Sequence, residues 1–203
     1  VGEKPQVTML AYSGRELEWH RAECFALRFN LMYGGYDFCV FQQAAHPYPP
    51  VEATLRDGGE IAAMCKRNGV TPVVFMTWAE RDKPENQQIM IDTCLRLARD
   101  NGALLAPVGR IWQTLLRERP DIDLYFEDGA HASPYGDLLV AATFCRLLAG
   151  EVSEDVASCG VDFYADPPVE GEIPRFSEDK RAIAAALDPE KVRAIVRAVR
   201  PDF

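Results

Sequence analysis

Apolar residues along this chain follow two rhythms. Short, nearly unbroken apolar runs at 7–12, 37–41, 71–78 and 103–108 predict strands covered on both faces. Between them lie longer stretches whose apolar positions recur every three or four residues. These predict helices at 15–33, with Leu17, Phe25, Leu27 and Leu31 among the apolar positions, then at 52–67, 86–101 and 111–118. Gly34-Gly35, Asn68-Gly69 and Gly102 stop the first three. Ser133 is suited to N-cap a further helix, with Pro134 in its first turn and Gly150 after its last residue. Strands alternating with helices predict a parallel sheet with helices on both faces, a three-layer α/β/α sandwich.

After Gly150 the rhythm changes. Residues 152–177 read as loop, with Pro167-Pro168 and Pro174. Two helices are expected at 178–187 and 189–199. The second carries Val192, Ile195, Val196 and Val199 as one apolar stripe, suited to packing on the main domain or on a second subunit. The expected organisation is an α/β domain at 1–150 and a C-terminal loop and helical extension at 151–203.

Composition narrows the function classes. A net charge of −9 on 203 residues argues against a nucleic-acid or anionic-membrane surface. No apolar run is long enough to span a bilayer. The six cysteines form no C-x-x-C pair, and four of them fall in helix-like stretches, so they read as small buried hydrophobes in a reducing, cytoplasmic setting. A secreted protein whose signal has been removed is the alternative. No Cys/His cluster has metal-ligand spacing, and no glycine-rich phosphate loop is present, so neither metal nor cofactor is expected. The first residues lack both a signal-peptide core and an initiator methionine. A processed product, a trimmed chain or a fragment is therefore expected.

In parallel sheets ligands bind beyond the carboxyl ends of the strands. That directs attention to Ser13-Gly14 and to the loops at 42–50, 78–83 and 128–133. The last contains Asp128-Gly129-Ala130-His131. An acid three residues before a histidine in a turn can hold the imidazole in one tautomer while the other nitrogen faces a substrate, as a general base requires. The plainer reading is a turn aspartate and a solvated histidine. His46, in the proline-rich loop, and Trp78, at a strand end, are candidates for substrate contact.

Asp128-Gly129-Ala130-His131-Ala132-Ser133, with the following Gly136 and alanine-rich helix, resembles the SGNH/GDSL-type hydrolases over about the first three quarters of the chain. The resemblance implies a flavodoxin-like sheet and serine esterase chemistry on a small or carbohydrate ester. It assigns Asp128 and His131 as acid and base, and the Gly14 amide as an oxyanion donor. Gln42 would stand in for the asparagine of the absent Gly-x-Asn-Asp block. The family's Gly-Asp/Asn-Ser strand is also absent. Either Ser13 is the nucleophile, or residues 7–12 correspond to the second family strand. In the second case the sheet has a gap that calls for a complementing N-terminal peptide, a strand from another chain, as in a homo-oligomer, or a changed strand order. The rival readings are a non-catalytic protein on the same fold, holding a ligand such as a sugar with Gln42, Gln43, His46 and Trp78, and a truncated, inactive hydrolase.

Overall fold

A computed structural model describes residues 5–12, 14–158, 163–165, 181–183 and 187–199. The chain divides into two compact units, Val1–Arg110 and Ile111–Phe203.

The first unit is built on a parallel sheet of three strands, β1 (Phe38–Phe41), β2 (Thr71–Phe75) and β3 (Leu104–Ala106), in the order β1-β2-β3. Helices α1 (Leu17–Ala22), α2 (Phe25–Tyr33), α3 (Val51–Arg67) and α4 (Asn86–Asn101) flank it. The expected α/β class is therefore present, with parallel strands joined through helices. The core lies where one sheet face meets these helices, with Phe41 and Val74 from the sheet against Leu31, Ile61, Cys65, Cys94 and Leu97. On α3 the buried positions Thr54, Asp57, Gly58, Ile61, Ala62 and Cys65 recur at helical spacing, which selects the face turned inward. Gly102 adopts the left-handed conformation at the end of α4, as its stop signal predicts.

Four expectations are corrected in this unit. Residues 7–12 form no strand, because no other strand among the described residues offers them a ladder. The single helix expected at 15–33 is two helices, broken at Glu23-Cys24. Cys24 leaves the helical region to bury its side chain, and the Arg28 guanidinium donates to the carbonyls of Arg21 and Ala22 that the break exposes. The third strand ends at Phe75, not 78. The fourth is trimmed to three residues because helix α5 (Val108–Glu118) starts just after Pro107.

The second unit contains most of α5, then α6 (Pro134–Ala149), a 3-10 turn (Glu154–Ser158), β4 (Phe163–Ala165), β5 (Arg181–Ile183) and α7 (Pro189–Ala198). The expected cap at Ser133 is present, its hydroxyl accepting the amides of Tyr135 and Gly136, and Asp188 caps α7 by accepting the amide of Glu190. The apolar stripe of α7 is buried, with Ile195 fully so. The helix expected at 178–187 is corrected, since Arg181–Ile183 pairs antiparallel with Phe163–Ala165. Pairing with a partner strand outweighs the local helical preference, which a stretch this short realises only marginally by itself. Most of the rest of 178–187 lies outside the described residues.

Among the cysteines Cys24, Cys65 and Cys94 are buried and Cys39 is half-buried, as small hydrophobes would be. Cys145 is exposed, because its position on α6 faces solvent. Cys159 lies outside the described residues.

Candidate functional site

The turn at 126–131 is closed by backbone pairing on both sides. The Phe126 amide donates to the His131 carbonyl at 2.8 Å, the Ser133 amide donates to the Leu124 carbonyl at 2.8 Å, and Tyr125 and Ala132 form an antiparallel bridge. Gly129 sits at φ +70°, a left-handed conformation that L side chains rarely adopt, and this lets the chain reverse there. Ser133 joins the turn to α6. Its hydroxyl caps that helix and donates to the Asp123 carbonyl at 2.7 Å.

Within this frame Asp128 makes three contacts. Its Oδ1 accepts the amides of Ala130 and His131, each at 2.9 Å, and its Oδ2 lies 2.6 Å from His131 Nδ1. The Ala130 amide does most to pull the Asp128 carboxyl down to about 2, with the His131 ring and amide adding to it. An ionised Asp128 holds Nδ1 as the protonated nitrogen, so Nε2 is the nitrogen left to act as a base. The His131 side chain is 83% exposed, so this nitrogen is open to an incoming group. The i, i+3 spacing read in the sequence thus corresponds to a direct side-chain hydrogen bond.

The other expected site residues belong to the first unit. Gly14 is exposed at φ +67°, in a turn where the Arg15 amide donates to the Tyr12 carbonyl. Ser13 lies outside the described residues. Gln42 follows the carboxyl end of β1 and is exposed, with its amide free to meet a ligand. The adjacent Gln43 is buried and structural. Its Oε1 accepts the amides of Leu17 and Ala44, and its Nε2 donates to Thr54, which pins the start of α1 to the loop after β1. Gln43 is therefore not available to a ligand. His46 does not stand alone, since its Nδ1 lies 4.0 Å from Glu80 Oε2 in the loop after β2. Lys83 donates to the same Glu80 at 2.6 Å and does most to hold that carboxyl below its ordinary range. Trp78 is half-buried in that loop.

Two residues missed in the sequence shape these loops. Gln87, buried on α4, accepts the Ala79 amide at 2.9 Å and donates to the Thr77 carbonyl, clasping the backbone on both sides of Trp78. Gly109 lies so close that a Cβ there would meet the Thr77 carbonyl oxygen at 2.0 Å. Glu80 was the other omission. No local spacing announces any of the three, because their partners come from other elements. Among the described residues no group of three or more His, Cys, Asp and Glu side chains is arranged to hold a metal ion, and no helix is long and apolar enough to cross a membrane.

No protein-family model matches the chain, and no curated protein is significantly similar in sequence. Among solved structures, "a putative SGNH hydrolase from Slackia heliotrinireducens" is similar with a TM-score of 0.59 and 26% identity, over 66% of this chain and 80% of that one. The chain accordingly has the α/β architecture of an SGNH-type hydrolase.

Proposed function

We propose that this protein is an SGNH-type serine hydrolase of small or carbohydrate carboxylic esters. The observation that supports this reading most strongly is the 2.6 Å contact of Asp128 Oδ2 with His131 Nδ1, in a turn whose backbone fixes both residues. In the reaction a serine hydroxyl attacks the ester carbonyl as His131 Nε2 takes its proton. Asp128 stabilises the imidazolium, which then protonates the departing alcohol. Water, activated by the same nitrogen, releases the acid. The Gly14 amide and the Gln42 side chain are proposed as donors to the developing oxyanion, with His46 and Trp78 contacting substrate. Ser13 is the candidate nucleophile in this chain.

One observation favours a second reading, a non-catalytic ligand-binding protein on the same fold. Among the described residues no hydroxyl is hydrogen-bonded to His131 Nε2. Labelling the folded protein with a fluorophosphonate, followed by peptide mapping, separates the two. A single modified serine, lost in His131→Ala, supports the hydrolase and names its nucleophile. Modification confined to Ser13 assigns it directly. A folded protein that takes no label and does not hydrolyse p-nitrophenyl acetate supports the binding protein.

A further inference from the structure

The Asp128–His131 turn is the tip of a hairpin that follows α5 and closes where α6 begins. The base of the hairpin is buried. Ile122 and Leu124 are enclosed, and the Tyr125 ring meets Trp112 edge-on at 5.1 Å. The tip is not buried. Asp128 and His131 are both exposed, so side-chain packing does little to fix the pair. Asp128 is held by the amides of Ala130 and His131, so the pair keeps its geometry only while the backbone beneath it stays in place. A site carried on a loop therefore needs a rigid support.

The start of α7 reaches both ends of this hairpin. At the incoming end Lys191 Nζ donates to the Asp121 carbonyl. At the outgoing end the Asp188 amide donates to the Tyr135 hydroxyl at 3.1 Å. The two ties meet, since the Lys191 ammonium lies 5.6 Å from the centre of the Tyr135 ring, within cation–π range. Asp121 is also gripped through its carboxylate, by two bonds of 2.8 Å from Arg119. The helix is a firm base for such ties, because Asp188 caps it and Val192, Ile195 and Val196 are buried. Burial of that stripe already docks α7. Lys191 nevertheless gives up the rotamer freedom of a long side chain to hold a carbonyl 70 residues away in sequence.

We propose that the start of α7 is a clamp on the candidate catalytic turn, with Lys191 and Tyr135 as positioning residues for the Asp128–His131 pair. Tying Asp121 and Tyr135 to one helix end fixes the separation of the two hairpin ends. The backbone bonds from Ser133 to Leu124 and from Phe126 to His131 carry that constraint to the tip. The C-terminal helix thus belongs to the support of the site. The effect of the clamp on turnover rests on the hydrolase reading, whereas its effect on the turn does not. A displacement of ~1 Å at a reacting group costs about 100-fold in rate, so a partly loosened turn should cost less than that.

Amide hydrogen exchange and carboxyl NMR on the full chain provide the test, and neither needs a substrate. Lys191→Met keeps the apolar stem and removes the donor, while Tyr135→Phe keeps the ring and removes the acceptor. Each should leave the circular dichroism unchanged and speed exchange of the Phe126 and His131 amides about tenfold. Each should also raise the midpoint of the Asp128 carboxyl, which the turn amides hold down to about 2. Lys191→Arg keeps a donor and should return both readouts toward wild type. Arg193→Gln removes an ion pair with Glu190 that stays within α7, and should change neither. On p-nitrophenyl acetate the two clamp variants should lose about tenfold in kcat with KM unchanged. Wild-type exchange and a wild-type Asp128 midpoint in both clamp variants overturn the proposal, and so does an equal change in Arg193→Gln. A wild type without esterase activity, whose exchange still responds to the clamp variants, supports the clamp and removes the hydrolase reading alone.

Discussion

Ser133 serves three backbone groups at once, accepting the amides of Tyr135 and Gly136 and donating to the Asp123 carbonyl. Ser133→Ala should therefore cost about 1–2 kcal/mol in chemical denaturation, the upper part of the range for an N-cap, because the Asp123 carbonyl also loses its partner. A loss below a few tenths would show that the turn does not depend on it. Asp128 is the second test at this scale. On the hydrolase reading Asp128→Asn should lower kcat by ~10³–10⁴ with little change in KM, since the imidazole loses its orienting anion only as charge develops. An equal loss through KM alone would place Asp128 in binding. The sign of its pH dependence follows from its depressed pKa. The contact is fully present above the ordinary aspartate range and is lost as pH falls toward about 2. NMR titration of the Asp128 carboxyl should show a midpoint well below that of an exposed aspartate.

At the scale of elements, α1 is held to α3 by an ion cluster. The buried Asp57 accepts Arg21 Nε at 2.7 Å and Arg56 Nη2 at 2.8 Å. Burial pushes its carboxyl up, but the hydrogen bonds from Arg56 and Arg21 outweigh this and hold it below the ordinary range. Asp57 therefore stabilises the fold above that range and withdraws its contribution as the pH falls through it. Asp57→Asn should cost about 1–3 kcal/mol near neutral pH and flatten the acid limb of the stability curve. An unchanged acid limb would assign that limb to other carboxyls. Close approach of elements is equally specific. Gly136 opens α6 against Trp112 and the Leu124 carbonyl, where a Cβ would lie 2.4 Å from the carbonyl oxygen. Gly136→Ala should destabilise by about 1–3 kcal/mol, since backbone must move to admit the methyl. A neutral effect would mean that α6 can shift outward freely.

For the whole molecule the decisive feature is the length of the sheet. The pattern predicts four strands in the first domain, and the structure forms three. The apolar run at 7–12 reads as a strand just as the run at 37–41 does, yet only the second has a neighbour to bond. The C-terminal region makes a parallel point. Its α7 stripe is buried as expected, and Ile195→Ala should cost about 2–5 kcal/mol because that side chain is fully enclosed. A cost under 1 kcal/mol would mean that α7 packs too loosely to belong to the core of its unit. At 181–183 the local preference was overridden by pairing with Phe163–Ala165.

What the sequence determined by itself is what depends on near neighbours along the chain. The helices at 52–67 and 86–101, the cap at Ser133, the stop at Gly102 and the Asp128–His131 spacing all rest on contacts within a few residues, and all are present. The tertiary structure alone decided which extended runs became strands, where 15–33 broke, that Gln43 and not Gln42 is buried, and that Gln87 clasps the loop around Trp78. Each of these depends on whether a distant segment arrives to satisfy a backbone group or bury a side chain. Strands need a partner for every donor and acceptor, whereas helices supply their own.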